Sequence, residues 1–261
     1  MKGFRLNRMF SALSRRCCAV AIESGLLAGI ANPDRCVRLL VEAAPDAIEL
    51  TVGHAELLQS IPGKSKPALV LRADVSNVHG RELPPALFSR VIGNAVEQAV
   101  RLDAACVVAN FFLIPGHPAL TAQCRENIQR LVPDCERFAM PLMIEPRVFR
   151  AAAGGWQPDG DVENFIPCVR QARDFGADII ATDLPDDAGV FHRVVESAGR
   201  IPVLVRDGAQ APDAEILSRA EKLIRQGAAG IVYGRNVIEH ADPAELIRAL
   251  MAIIHDGGST R

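Results

Sequence analysis

ADIIATDLPDD, residues 177–187, is a short apolar run that ends in a cluster of acids. Neighbouring positions of its first half are apolar on both parities, so a strand there is buried on both faces, as in a parallel sheet covered by helices. Seven other segments share this character: CCAVAIES (17–24), AIELTVG (47–53), ALVLRAD (68–74), AACVVANFF (104–112), PLMIEPR (141–147), IPVLVRD (201–207) and GIVYGRN (230–236). Between them lie DRCVRLLVEAA, FSRVIGNAVEQAVRL, RENIQRLVPDCERFA, DVENFIPCVRQARDFG, DAEILSRAEKLIRQG and PAELIRALMAIIH. These place apolar residues every three to four positions, the helical period. Eight strand–helix units in a chain of 261 residues predict a single (β/α)8 TIM barrel, one domain over 1–261 with a short N-terminal cap. An open doubly wound sheet is the rival, but no G-x-G-x-x-G follows the first strand. Gly176 and Gly227 stand where a helix C-terminus wants glycine, and Asp161 and Asp242 where N-caps belong.

Composition narrows the function classes. The chain is 49% hydrophobic with a formal net charge of −2, so a large core is expected and a nucleic-acid or membrane surface is not. No apolar run is long enough to span a bilayer. The basic start, MKGFRLNRMFSALSRR, imitates a targeting peptide, but the apolar run after it is short and meets Glu23. The seven cysteines show no zinc spacing; they read as reduced core thiols of a cytoplasmic protein.

Barrels of this class do chemistry at the carboxyl ends of their strands. Those ends carry Glu23 and Ser24, His54, Arg72, Asp74 and Asn77, Asn110, Glu145 and Arg147, and Thr182, Asp183, Asp186 and Asp187. The last two give Arg206, Asp207 and Gly208, then Tyr233, Gly234, Arg235 and Asn236. Two successive loops, RDGA (206–209) and YGRN (233–236), each hold a glycine, which lets backbone N–H groups approach an anion. With Arg235 they predict an anion site, phosphate in particular, built from Gly208, Ala209, Gly234 and Arg235 with Asp207 and Arg72 nearby. The acids have two readings. They serve as general acids and bases, or Glu23, Glu145, Asp183 and Asp207 hold a divalent metal.

LNRMFS, PDAIELTVGHAELL, KPALVLRADVSNVHG, PLMIEP, GADIIATDLPDD, FHRVVESAGRIPVLVRDG and GAAGIVYGRNVIEHADP together carry a resemblance. Over almost its whole length the chain resembles the class I fructose-bisphosphate aldolase family of the archaeal, DhnA type, a DeoC/LacD-like group that includes the phospho-autoinducer-2 thiolase. The resemblance implies a (β/α)8 barrel, a small phosphorylated keto or sugar substrate, ring-shaped homo-oligomers such as decamers, and no metal, because the electrophile is a protonated Schiff base. Gly234 and Arg235 match the phosphate loop of the family. The other phosphate loop is altered: Asp207 and Ala209 flank Gly208. Glu23-Ser24-Gly25 replaces the usual Asp-His-Gly, and Ala181 stands at the Schiff-base lysine position.

A Schiff base needs a primary amine at the reacting carbonyl. The lysines are Lys2, Lys64, Lys66 and Lys222, and the barrel places all four away from the mouth. Three explanations stand: a lysine deliberately replaced to disable turnover, a lineage that works with its acids instead, or a non-catalytic, regulatory anion-binding paralogue. The expected function is carbon–carbon bond cleavage, formation or enolisation on a phosphorylated or anionic carbonyl compound, with Glu23, Glu145 or Asp183 moving protons.

Overall fold

A computed structural model describes residues 2–22, 32–63, 65–78, 83–153 and 155–256. Eight parallel strands form the barrel: β1 (Cys17–Ala21), β2 (Ala47–Leu50), β3 (Ala68–Arg72), β6 (Cys106–Leu113), β7 (Leu142–Ala152), β9 (Ile179–Thr182), β10 (Val203–Arg206) and β11 (Gly230–Tyr233). They run in the order β6-β3-β2-β1-β11-β10-β9-β7, and β7 pairs back with β6, so the sheet closes. Helices α2 (Pro33–Ala43), α3 (Val52–Gln59), α4 (Ala95–Arg101), α5 (Pro118–Arg137), α6 (Val162–Asp174), α7 (His192–Ala198), α8 (Asp213–Arg225), α9 (Arg235–Ile238) and α10 (Pro243–Asp256) follow the strands.

Strand alternation sorts the core into two layers. Ile180, Val205 and Tyr233 point out into the large strand–helix core. Ala19, Ala47, Ala68, Val108, Ala181 and Val232 point in and form a separate cluster on the barrel axis. Small side chains belong there, because the interior of an eight-strand barrel is only wide enough for side chains to fill it. Met9 closes the floor of this cluster. It follows α1 (Lys2–Leu6), the expected N-terminal cap. The basic residues of the cap are spent on the floor: Lys2 pairs with Asp178 at 2.9 Å, Arg5 donates to the Ala104 carbonyl at 2.7 Å, and Arg8 pairs with Asp103 at 2.9 Å. The last helix is latched to the same end. His255 bridges Ser14 Oγ (2.7 Å) and Asp46 Oδ2 (2.9 Å).

Helix punctuation follows local rules. Gly176 and Gly227 adopt φ of +90° and +96° past their helices. Asp161 accepts from the Glu163 N–H and Asp242 from the Glu245 N–H. Three expectations give way. FSRVIGNAVEQAVRL is helical only over α4; its start is β5 (Ser89–Val91), paired antiparallel with β4 (Asp74–Ser76). The Asp74 carboxylate accepts from Ser89 Oγ at 3.1 Å, a contact across fifteen residues that a local period cannot register. The fifth strand runs on to Ala152 and turns back through β8 (Gly155–Pro158). AIELTVG stops at Leu50, and His54 rides on α3 rather than on a strand-end loop.

The first and last barrel strands of the chain meet where Cys17 of β1 pairs with Gly230 of β11. Gly230 has φ +140°, and a Cβ there would lie 1.8 Å from the Cys17 carbonyl oxygen. Gly230→Ala should therefore cost about 3 kcal/mol, the strain of a backbone forced off its favoured conformation. Urea unfolding measures it, and an unchanged midpoint would show that this closure tolerates a side chain.

Candidate active site

Two residues beyond the inward alanines and valines, the strands turn charged. Ala47 is followed by Glu49, Val70 by Arg72, Met143 by Glu145, Ala181 by Asp183 and Leu204 by Arg206. Inward parity brings these five to the carboxyl end of the barrel. Arg72 Nη2 donates to Glu49 and, at 2.6 Å, to Glu145 Oε2, while its Nη1 lies 3.4 Å from Asp74 Oδ1. The other Glu145 oxygen accepts from Arg206 Nη1. Arg206 Nε is 3.7 Å from Asp183 Oδ1, and Arg147 Nε is 3.4 Å from the same oxygen. Asp74 also accepts from Asn110 Nδ2 at 3.1 Å. The result is one chain of ion pairs from β2 across the mouth to β9.

The network has a floor and a rim. Arg72 keeps 2% of its side chain exposed, and Glu49 and Glu145 keep none. Arg147 and Arg206 keep 17% and 12%. Buried charges survive only when paired and hydrogen-bonded. Guanidinium groups suit this task because each offers several donors in a fixed plane. Arg147 is held further by the faces of Phe112 and Phe149, 5.9 and 5.5 Å from its centre.

Glu145, Asp183 and Arg72 thus meet, as the strand-end reading expects. Ala181 is fully buried on the barrel axis just below Asp183. Arg72 faces carboxylates rather than solvent. Glu23, with Ser24, lies outside the described residues. Asp207, Gly208, Ala209, Gly234 and Arg235 form a second group. Asp207 Oδ2 accepts from the Gly234 N–H at 3.1 Å and the Asn236 N–H at 3.0 Å. Asn236 Nδ2 reaches the Gly208 and Ala209 carbonyls, each at 3.4 Å. Gly234 packs so close that a Cβ would sit 3.0 Å from the Ala21 carbonyl oxygen. Arg235 and Ala209 are exposed.

Glu49 is the residue that sequence reading missed. Its signal was a lone acid inside the apolar strand AIEL. Arg206 was visible only as a strand end. Asp187 caps the turn that follows it, accepting from the Gly189 N–H at 2.7 Å, and Tyr233 packs outward into the helical layer.

Of the four acids that could hold a metal ion, Glu23 lies outside the described residues and the other three are engaged by neighbouring groups. Arg206 bridges Glu145 and Asp183, Asp207 is turned onto backbone N–H groups, and among the described residues no group of three His, Cys, Asp or Glu side chains is placed to hold a metal ion. The described lysines are elsewhere. Lys2 is on the floor, Lys66 donates to the carbonyls of Leu58, Gln59 and Ile61, and Lys222 pairs with Asp187 at 3.3 Å. Lys64 lies outside the described residues. No helix among the described residues is long and apolar enough to cross a membrane.

Comparison with known proteins bears on the family and the fold. The chain is 29% identical over 257 residues to the 3-hydroxy-5-phosphonooxypentane-2,4-dione thiolase of Salmonella typhimurium, covering 96% of this chain and 81% of that protein. It is 27% identical over 252 residues to the same enzyme of Photorhabdus laumondii, with the same coverage. A crystal structure of an archaeal fructose 1,6-bisphosphate aldolase superposes with a TM-score of 0.80 at 24% identity, over 98% of this chain and 100% of that one. A Schiff-base-forming fructose-1,6-bisphosphate aldolase superposes with a TM-score of 0.78 at 25% identity, over 97% and 100%. Residues 10–240 match the family described as DeoC/LacD family aldolase. With the barrel, the charged mouth and this match in agreement, the chain belongs to the DeoC/LacD family of aldolases.

Proposed function

We propose that this protein makes or breaks a carbon–carbon bond, or enolises its substrate, on a phosphorylated or otherwise anionic carbonyl compound, and does so without a Schiff base. The observation that carries this reading is the ion network itself. A structural barrel end has no need to bury Glu49, Arg72 and Glu145 and leave Arg147, Asp183 and Arg206 at the rim. Asp183 would take the proton from the carbon next to the carbonyl. The electron pair then moves to the carbonyl oxygen, where the Arg206 guanidinium meets the developing charge. Glu145 and Arg72 position Arg206 from below. No step uses a metal.

The test combines turnover with trapping. The protein is incubated with phosphorylated ketoses and with keto acids, and aldehyde release and solvent-deuterium uptake are followed by NMR. Asp183→Asn should lower turnover about 100-fold, the low end for a lost proton-transfer group, and Glu145→Gln should lower it too by weakening the hold on Arg206. Full activity in both variants removes those roles. Borohydride with substrate should leave the protein mass unchanged, and a reduced lysine adduct would overturn the Schiff-base-free route. A second reading, a non-catalytic anion-binding paralogue, is favoured by one feature, the fully buried Ala181 at the family's lysine position. Ligand binding with no deuterium uptake would support it.

A further inference from the structure

We infer that Ser89 and Asn127, which lie outside the barrel wall, are positioning residues: they orient the Asp74 carboxylate, and through it the Arg72 guanidinium, for the reaction at the mouth. This deepens the proposed function and rests on its reading of the ion network as the reacting centre.

Ser89 opens β5, and Asn127 lies in the middle of α5. Ser89 is 1% exposed and Asn127 5%, so protein groups rather than bulk water must satisfy them. Each is one link of a chain whose direction is fixed. The Asn127 amide oxygen accepts from the Val91 N–H at 3.2 Å. That turns the amide nitrogen toward Ser89, and Nδ2 donates to Oγ at 3.1 Å. Ser89 Oγ in turn donates its one proton to Asp74 Oδ2 at 3.1 Å. The Cys124 thiol also approaches this hydroxyl, but sulfur is a weak acceptor and a carboxylate a strong one. A carboxylate only accepts, so the chain cannot run in the opposite sense. The Ser89 N–H is anchored separately, on Gln123 Oε1 of the same helix at 3.3 Å.

The far end of this chain is the mouth. Asn110 of β6 braces Asp74 from the barrel side, with Nδ2 at 3.1 Å from Oδ2 and 3.3 Å from Oδ1. Ser89 holds Oδ2, which sets Oδ1 toward Arg72 Nη1 at 3.4 Å. Nη2 of the same group reaches Glu49 and Glu145, and Glu145 in turn reaches Arg206. A guanidinium is a rigid plane, so a tilt at Nη1 is a tilt at Nη2. A buried polar network with its members satisfied fixes one arrangement of them. This one ties an outer helix to the cation that Glu49 and Glu145 share.

The test reads Arg72 directly. The full chain is made with nitrogen-labelled arginine, and the Arg72 guanidinium signals are assigned by NMR against Arg72→Lys. Ser89→Ala should shift and broaden the Nη1 signal, and Asn127→Leu should do the same more weakly. Ser89→Thr, which keeps the hydroxyl, should leave it in place. Thermal melts establish that each variant is folded, and Asn127→Leu carries the test if Ser89→Ala does not fold. A merely structural role predicts a lower melting temperature with the Arg72 signal unmoved, because Glu49 and Glu145 still hold the group. Turnover adds a second readout. Where the wild type exchanges solvent deuterium into a phosphorylated ketose or a keto acid, Ser89→Ala should lower kcat about tenfold and leave KM within about twofold, the pattern of a misplaced group rather than a lost binding contact. An Arg72 signal unmoved by both Ser89→Ala and Asn127→Leu overturns the inference, as does one moved as far by Ser89→Thr as by Ser89→Ala. Exchange at the same rate in wild type and Ser89→Ala sinks the inference and keeps the reaction. No exchange with any carbonyl compound, while the Arg72 signal answers to Ser89, sinks the reaction and keeps the orienting role.

Discussion

Arg72→Met should cost about 3–5 kcal/mol, the loss seen when one partner of a buried ion pair is removed. Arg72 is shared by Glu49, Glu145 and Asp74 from three positions in the barrel wall, and its side chain is 2% exposed. Methionine fills much of the same volume, so the loss reports charge rather than a cavity. Glu49 and Glu145 would then be fully buried acids deprived of a shared cation. They must take up protons or draw in water, and either outcome loosens the mouth. The double variant Arg72→Met/Glu49→Leu should recover part of the loss, since buried pairs replaced whole by apolar groups are often neutral. Urea unfolding of both variants decides the matter. A single variant within 1 kcal/mol of wild type would show that the network stabilises nothing.

Alkaline pH should unfold the protein well before most domains of this size. Six of the seven thiols are buried and all seven are free. Burial pushes Cys124 and Cys168 up to about 11 and Cys135 to about 12, and raises Cys17, Cys18 and Cys106 further. The unfolded chain releases thiol protons from its ordinary value near 9. Below that pH both states hold the protons and nothing is lost. Above it the unfolded state sheds protons that the folded state keeps, so stability falls as pH rises. The slope is about 1.4 kcal/mol per pH unit for each thiol, and it ends where that thiol ionises in the folded protein. Several thiols acting together offset a typical 5–15 kcal/mol of stability within about two pH units. The urea midpoint should therefore drop steeply between pH 9 and 11. A flat midpoint over that range would mean that the thiols ionise in place. At pH 8 the same burial should leave these six inert to a thiol reagent until the protein is denatured.

Much of this molecule follows from local rules. Strands apolar on both faces, with period-3.6 helices between them, predict a parallel sheet wrapped by helices, and eight units in this length predict closure. Asp161, Asp242, Gly176 and Gly227 sit where capping chemistry puts them. Strand parity is also local, so the inward direction of Ala181 and Asp183 was readable, and with it the end of the barrel where acids gather. The segment at 88–102 was misread because its strand forms only by pairing with residues 74–76, and no helical period reports a partner that far away.

By itself, then, the sequence determined the barrel, the end of it where charge gathers and most of the described side chains that reach that end, Glu49 excepted. Tertiary structure alone decided what those side chains do to one another. Arg72 meets Glu49 and Glu145 across 23 and 73 residues, and Asp207 turns onto Gly234 across 27. Charge pairing is set by distance and direction in space. Closing the sheet into a cylinder brings long side chains from distant strands into hydrogen-bond contact, such as Arg72 with Glu145 at 2.6 Å, and no spacing along the chain encodes which cation then faces which acid.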